Sequence, residues 1–303
     1  MSAPADRLSD LGFAAGWSLV KNLPEPLVGR VFRAGADAAT RRRGPAVVQF
    51  ARNLRRVLGD RATPALLSEV VHAGMRSYAR YWKETFRLPA MDHDQVYERV
   101  VRGTIGLEHI DAAQAAGRGT VVVLPHSGNW DVAGLMVTRR WGNLTTVVER
   151  LKPESLYDKF VAYRESLGME ILPLTGGATP SQVLKERLTA GRVIALVGDR
   201  DLSASGVPVT FFGEATRMPA GPAMLAALTG ADLCPVHLSF TDDGWRQVIH
   251  PPLQLPGTRL AQQVREGTQL LADVFAGDIG EYPQDWHMLQ PLWLADLPPG
   301  RVR

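Results

Sequence analysis

Thr120-Val121-Val122-Val123-Leu124 is an unbroken run of apolar and β-branched residues, and Pro125-His126-Ser127-Gly128-Asn129-Trp130-Asp131 follows it directly. The run reads as a buried strand, since five such residues with no polar alternation suit a strand covered on both faces. The polar stretch reads as a turn into a helix from Trp130 to about Arg140, with Ser127 or Asn129 as its cap and Gly128 permitting a tight turn. The same texture continues in both directions. Thr145–Val148, Ile171–Leu174, Val193–Val197, Val207–Phe212, Leu233–Phe240 and Arg246–His250 are further strand candidates. Glu154–Leu167, Pro180–Thr189, Pro219–Thr229 and Arg259–Phe275 read as helices between them, Thr179-Pro180-Ser181-Gln182 forming a capping box. Strands alternating with helices predict an α/β fold: a central, mostly parallel sheet flanked by helices.

Toward the N-terminus the pattern becomes helical. Leu67, Val71, Met75, Tyr78, Trp82 and Phe86 recur every three to four residues between Thr63-Pro64 and Pro89, which predicts one helix over residues 64–88. Residues 1–105 are expected to form a helical, membrane-associating subregion and residues 106–303 the α/β core, the two packed as one body. A chain of 303 residues with 45% hydrophobic and 21% charged residues buries an ample core, which excludes a disordered or fibrous protein. The single Cys234 excludes an internal disulfide or a thiolate-rich metal site and reads as a small core residue; a reducing compartment is expected.

The net charge of +3 is uneven: residues 1–62 carry +6 and the remainder −3, with clusters at Arg41-Arg42-Arg43 and Arg55-Arg56. Such a skew marks either a surface facing an anionic partner or a solvated helix face. No stretch approaches the ~20 apolar residues that span a bilayer. Asp6 and Asp10 argue against a signal peptide. Two amphipathic pieces, around Leu8–Leu23 and Leu27–Phe32, set Phe13, Trp17 and Phe32 beside Lys21, Arg30 and Arg33, a composition that suits either the membrane interface or the protein core.

The chemistry concentrates at His126, which stands at the carboxyl end of a predicted strand, where open α/β sheets hold ligands. On one continuous helix His126 and Asp131 would point about 140° apart. With His126 in the turn and Asp131 in the first helical turn, the carboxylate can fold back under the imidazole. A carboxylate on one ring nitrogen fixes the tautomer and leaves the other nitrogen to act as a general base. No G-x-S-x-G motif supplies a nucleophile, so the simplest reaction is direct attack by a bound hydroxyl on an activated acyl group, with backbone N–H groups of the turn holding the oxyanion. The remaining histidines (His72, His93, His109, His237, His250 and His287) lack the spacing of metal ligands and read as structural, so neither a metal nor a cofactor is expected.

These residues carry a resemblance. His126-x4-Asp131 after a buried strand resembles the signature of the glycerolipid acyltransferase superfamily. The chain from about residue 70 to 290 is similar to the bacterial lipid A late-acyltransferase family. The ordered set comprises Arg76-Ser77-Tyr78-Ala79-Arg80-Tyr81-Trp82, the His126 segment, Tyr163-Arg164 with Leu167-Gly168, Val197-Gly198-Asp199-Arg200-Asp201, Phe211-Phe212-Gly213 and Ala220-Gly221-Pro222-Ala223. The absence of an N-terminal spanning helix, the segment Gly198-Asp199-Arg200-Asp201-Leu202, and Asp285-Trp286-His287-Met288 with Gln290-Pro291 are most similar to actinobacterial phosphatidylinositol mannoside acyltransferases. That resemblance implies acyl-CoA, palmitoyl-CoA above all, as co-substrate, and a mannose hydroxyl of a phosphatidylinositol mannoside as acceptor. It implies peripheral attachment to an anionic membrane at the cytoplasmic face of the cell inner membrane, and no nucleic acid. It also implies a second acidic residue near His126, best matched by Asp199 with Asp201 as rival, and a substrate-site arginine, Arg164. Glu149, just past the second strand, is placed to meet sugar hydroxyls, and Ser205 to meet the CoA chain.

Three other readings stay open. The chain is a lipid A type enzyme using acyl-carrier protein, a metal-assisted hydrolase with His126 and Asp131 as ligands, or a non-catalytic membrane-binding protein. Donor assays, chelators and liposome binding without turnover separate them.

Overall fold

The computed structural model describes residues 20, 23–149, 154–174, 180–201 and 205–297. The capping-box Thr179 and nearly all of the Leu8–Leu23 piece lie outside the described residues. Three helices open the described chain: α1 (Glu25–Arg42), α2 (Pro45–Leu58) and α3 (Pro64–Arg87). Each has proline in its first turn, where the missing N–H costs nothing, and the Thr63 hydroxyl caps α3 by accepting from the Leu66 N–H at 3.2 Å. They share a small core around Phe50, Leu54, Val71 and Met75. In α1 the predicted amphipathic piece packs into the body by Val28 and leaves Leu27 and Val31 exposed.

The remaining elements are α4 (His93–Arg102), β1 (Thr104–Ile105), α5 (Leu107–Ala115), β2 (Thr120–Leu124), α6 (Trp130–Trp141), β3 (Leu144–Val148), α7 (Glu154–Ser166), β4 (Met169–Pro173), α8 (Pro180–Thr189), β5 (Val193–Val197), β6 (Val207–Phe211), β7 (Glu214–Met218), α9 (Gly221–Thr229), β8 (Asp232–Phe240), β9 (Trp245–Ile249) and α10 (Leu260–Glu281). Among the described residues, seven strands form one sheet in the order β1-β9-β8-β2-β5-β3-β4, parallel throughout except for the β8–β9 pair. This is the mostly parallel, helix-flanked α/β sheet that the alternation predicts. Proline ends β4, an edge strand, where no ladder bond is lost.

Strand β2 lies at the centre. Its alternate residues serve two cores: Val121 and Val123 face α9 and α10 with Ile194 and Phe275, while Val122 and Leu124 face α6 with Leu135 and Val236. Two expectations change. The predicted strand over residues 207–212 does not join the sheet; β6 pairs antiparallel with β7 in a separate hairpin turned at Phe212-Gly213, both at positive φ. Helix α10 runs past Phe275 to Glu281, burying Ile279.

Candidate active site

Between β2 and α6 the chain reverses within Pro125–Asn129. Gly128 adopts φ +54°, and a Cβ there would lie 2.7 Å from the Leu238 backbone, so the position excludes any side chain. Asn129, not Ser127, caps α6: its Oδ1 accepts from the N–H groups of Asp131 (3.1 Å) and Val132 (3.2 Å). A second segment straps this turn. The Gly128 N–H donates to Asp285 O at 3.0 Å, and the His287 N–H donates to His126 O at 2.7 Å.

The carboxylate that braces the His126 ring is Asp199, from the loop after β5. His126 Nδ1 lies 2.6 Å from Asp199 Oδ1, while Oδ2 accepts the His126 backbone N–H (3.0 Å) and the Trp286 indole N–H (2.8 Å). Asp199 is fully buried, and the His126 side chain is 32% exposed. Burial alone would push the Asp199 carboxyl up. Attraction to the His126 ring when that ring is protonated, together with the three hydrogen bonds, outweighs it and holds the carboxyl below its ordinary value. A carboxylate that only accepts keeps the ring proton on Nδ1 and leaves Nε2 with its lone pair outward; among the described residues Nε2 has no hydrogen-bond partner.

Asp131 does not fold back under the imidazole. Asp131 stands in the first turn of α6 as expected, but its side chain is held by Arg164 of α7 and Thr85 of α3 instead. Arg164 Nε donates to Oδ1 at 2.6 Å, Arg164 Nη2 is 3.4 Å from Oδ2, and the Thr85 hydroxyl donates to Oδ2 at 3.3 Å. Burial disfavours the Arg164 charge, but the Asp131 carboxylate more than offsets it, so the guanidinium is held above its ordinary value. Asp201, the rival second acid, instead accepts the Gly206 N–H at 2.8 Å. Five of the N–H groups around the turn, expected as oxyanion donors, are committed elsewhere. The N–H groups of His126, Ser127, Gly128, Asp131 and Val132 bond to Asp199, Pro125, Asp285 and Asn129.

His126 opens on a groove of about 670 Å³ whose lining includes Glu149, Arg164 and Ser205. Glu149 and Ser205 are exposed on its rim. The wall opposite is aromatic: Tyr78, Tyr81 and Trp82 from α3, with Trp130 4.3 Å from the Tyr81 ring. Trp130, Val147, Val148, Arg164 and Val197 also border a second space, a narrow apolar cavity of about 100 Å³ under the α6 face of the sheet.

Sequence reasoning missed three parts of this site. Trp286 anchors Asp199. Ser77 Oγ lies 2.6 Å from Asp285 Oδ1 and 2.9 Å from His287 Nε2, a buried chain that fixes the strap; burial pulls His287 down to about 3. Tyr78 and Trp82 line the groove although their spacing marked only an apolar face. The segment Asp285–Met288 was visible as part of the resemblance, but nothing in its spacing assigned it these contacts. Among the described residues no group of three His, Cys, Asp or Glu side chains could hold a metal ion, and no helix is long and apolar enough to cross a membrane.

The chain matches the family described as bacterial lipid A biosynthesis acyltransferase over residues 7–295. It is 54% identical over 293 residues to a phosphatidylinositol mannoside acyltransferase of Mycolicibacterium smegmatis, covering 96% of this chain and 93% of that one. It is 50% identical over 295 residues to the phosphatidylinositol mannoside acyltransferase of Mycobacterium tuberculosis strain CDC 1551, covering 97% and 91%.

Proposed function

Since the chain belongs to the bacterial lipid A biosynthesis acyltransferase family, we propose that it moves a fatty acyl chain from acyl-CoA to a mannose hydroxyl of a phosphatidylinositol mannoside. The observation that carries this reading is one arrangement: an imidazole braced at Nδ1 by a buried carboxylate, its Nε2 without a partner among the described residues, on a polar-rimmed groove that meets an apolar cavity at Trp130, Val147, Val148, Arg164 and Val197.

His126 Nε2 takes the proton of the acceptor hydroxyl as its oxygen bonds to the thioester carbon. The tetrahedral intermediate collapses, the carbon–sulfur bond breaks, and the CoA thiolate recovers the proton from the imidazolium. Asp199 stabilises the imidazolium without itself taking the proton. No acyl-enzyme forms. Asp131 holds Arg164 at the mouth shared by groove and cavity, where a fixed guanidinium suits the phosphate or pantetheine of the donor. Glu149 and Ser205, on the groove rim, meet sugar hydroxyls and the CoA chain.

The enzyme works peripherally at the cytoplasmic face of the inner membrane. Leu27, Val31 and Val48 are exposed on α1 and α2 beside the exposed Arg30, Arg33, Arg41, Arg43 and Arg55, a pairing that supports contact with anionic lipid.

The test is mass spectrometry of the product formed from palmitoyl-CoA and a purified mannosylated phosphatidylinositol, with acylated carrier protein as a parallel donor. Palmitoylation of a mannose from the CoA donor supports the proposal. Transfer from the carrier protein alone, or to no mannose, rejects it.

A further inference from the structure

Glu84 is a buried carboxylate on α3 that lines neither the groove nor the cavity, yet it bonds directly to the turn that carries His126. Its Oε2 accepts the Asn129 Nδ2–H at 2.9 Å and the Trp245 indole N–H at 2.8 Å, and its Oε1 accepts from Arg80 Nε at 2.7 Å. Arg80 is anchored in turn. Its Nη1 and Nη2 donate to Thr241 O at 2.6 Å and Gly244 O at 2.7 Å, and its guanidinium lies 4.3 Å from the centre of the Phe240 ring. A fixed cation thus holds the carboxylate by one oxygen, and the other oxygen meets the catalytic turn. Ser77, seven residues earlier and on the same face of α3, fixes the strap that bonds to the His126 carbonyl.

We propose that Glu84 is a positioning residue for acyl transfer: it fixes which end of the Asn129 amide caps α6, and so holds the turn that presents His126. The inference rests on the acyl-transfer reading above and goes beyond it by naming a residue that acts on the base from outside the groove.

The two ends of an asparagine amide are nearly equal in shape, but one only accepts and the other only donates. The Asp131 and Val132 N–H groups need the accepting end, and Oδ1 meets both. With the amide reversed, both N–H groups would face a donor at a position only 3% exposed, where solvent cannot replace the lost bonds. A carboxylate only accepts, so Glu84 tolerates the donating end alone and excludes the reversed amide, through a charge-assisted bond. Asn129 stands three residues after His126 and next to Gly128, whose φ of +54° already constrains the turn. Losing its orientation shifts the turn against Asp199 rather than unfolding α6, because Val132, Leu135 and Met136 keep that helix packed in the core.

The experiment compares steady-state transfer from palmitoyl-CoA to a mannosylated phosphatidylinositol by the wild-type protein, Glu84→Gln, Asn129→Asp and the two substitutions combined, each checked for folding by thermal unfolding. In Glu84→Gln the new N–H2 end must face either the Arg80 N–H or the Asn129 and Trp245 N–H groups, donor against donor. Its kcat is expected to fall about 10- to 100-fold, as for a base displaced by about 1 Å, with KM for palmitoyl-CoA changed less than about twofold. Asn129→Asp alone sets two carboxylates against one another and is also expected to slow transfer. Combined, the substitutions put a donor opposite an acceptor again with the polarity reversed, and an aspartate cap has no wrong end. The combined variant is expected to be about tenfold faster than Glu84→Gln. Glu84→Gln with wild-type kcat, or a combined variant no faster than Glu84→Gln, would overturn the proposal, since a carboxylate that only braced Arg80 and Trp245 gains nothing from a change at Asn129. Nuclear Overhauser contacts in the wild-type protein give a reading that needs no variant. Contacts from the Asn129 Nδ2 protons to the Trp245 indole proton support the orientation; stronger contacts to the Asp131 and Val132 amide protons overturn it. A wild-type protein that transfers no acyl chain rejects the acyl-transfer reading and this inference with it. Transfer unaffected by Glu84→Gln rejects the inference alone.

Discussion

Two carboxylates stand in reach of the turn that carries His126, and they have different occupations. Asp199 is bonded to the imidazole, the His126 N–H and the Trp286 indole; Asp131 is bonded to Arg164 and Thr85. Their variants are therefore expected to fail differently. Asp199→Asn keeps the shape but loses the anion, so the rate of acyl transfer should fall at least about 100-fold with the melting temperature nearly unchanged. Asp131→Ala strands a buried guanidinium and is expected to cost about 3–5 kcal/mol, read as a melting temperature lower by several degrees. Steady-state kinetics beside thermal unfolding of both variants distinguish them. The resemblance set Asp199 near His126, but residue spacing alone could not assign these roles. A spacing of five residues pointed to Asp131, whereas the actual partner lies 73 residues away and meets the ring because β2 and β5 are neighbours in the sheet.

The β2–turn–α6 element fixes where that imidazole stands. Gly128 holds φ +54° and abuts the Leu238 backbone, so Gly128→Ala combines left-handed strain with a steric overlap. It is expected to lose about 2 kcal/mol or more and to displace His126, lowering both chemical-denaturation midpoint and kcat. The elements legible in the sequence were those with a strong local signal. The runs at 120–124 and 193–197 are continuous and apolar, and the helix at 64–87 has a cap, a first-turn proline and a regular apolar face. The elements that escaped notice have no such signal. Strand β1 is two residues long, and β7, Glu-Ala-Thr-Arg-Met, is too polar to announce itself. The hairpin that β7 forms with β6 is set by a turn at Phe212-Gly213, which took a β-branched run out of the main sheet.

Across the whole molecule, burial leaves two histidines neutral. Burial pulls His237 down to about 4 and His287 down to about 3, against an unfolded value of about 6.5. Below that unfolded value the unfolded chain binds protons that the folded one refuses. Stability is therefore expected to fall as pH drops from about 6.5 toward 4, by up to about 1.4 kcal/mol per pH unit for each histidine. Asp285 opposes this near the bottom of the range, because burial raises its carboxyl and the folded state there binds the extra proton. Urea unfolding at stepped pH checks the slope, and His237→Leu should reduce it. The α/β architecture was readable from alternation alone, but the strap of residues 283–288 across the site was not, since it depends on where the last long helix delivers the chain. The central claim is that His126 and Asp199 act as one unit, and a double-mutant cycle on acyl transfer tests it most directly. His126→Ala, Asp199→Asn and the double variant, each verified as folded, are compared with wild type using palmitoyl-CoA and a mannosylated phosphatidylinositol. The account predicts that the double variant is no slower than His126→Ala. Losses that simply multiply, or a His126→Ala protein with wild-type turnover, would contradict it.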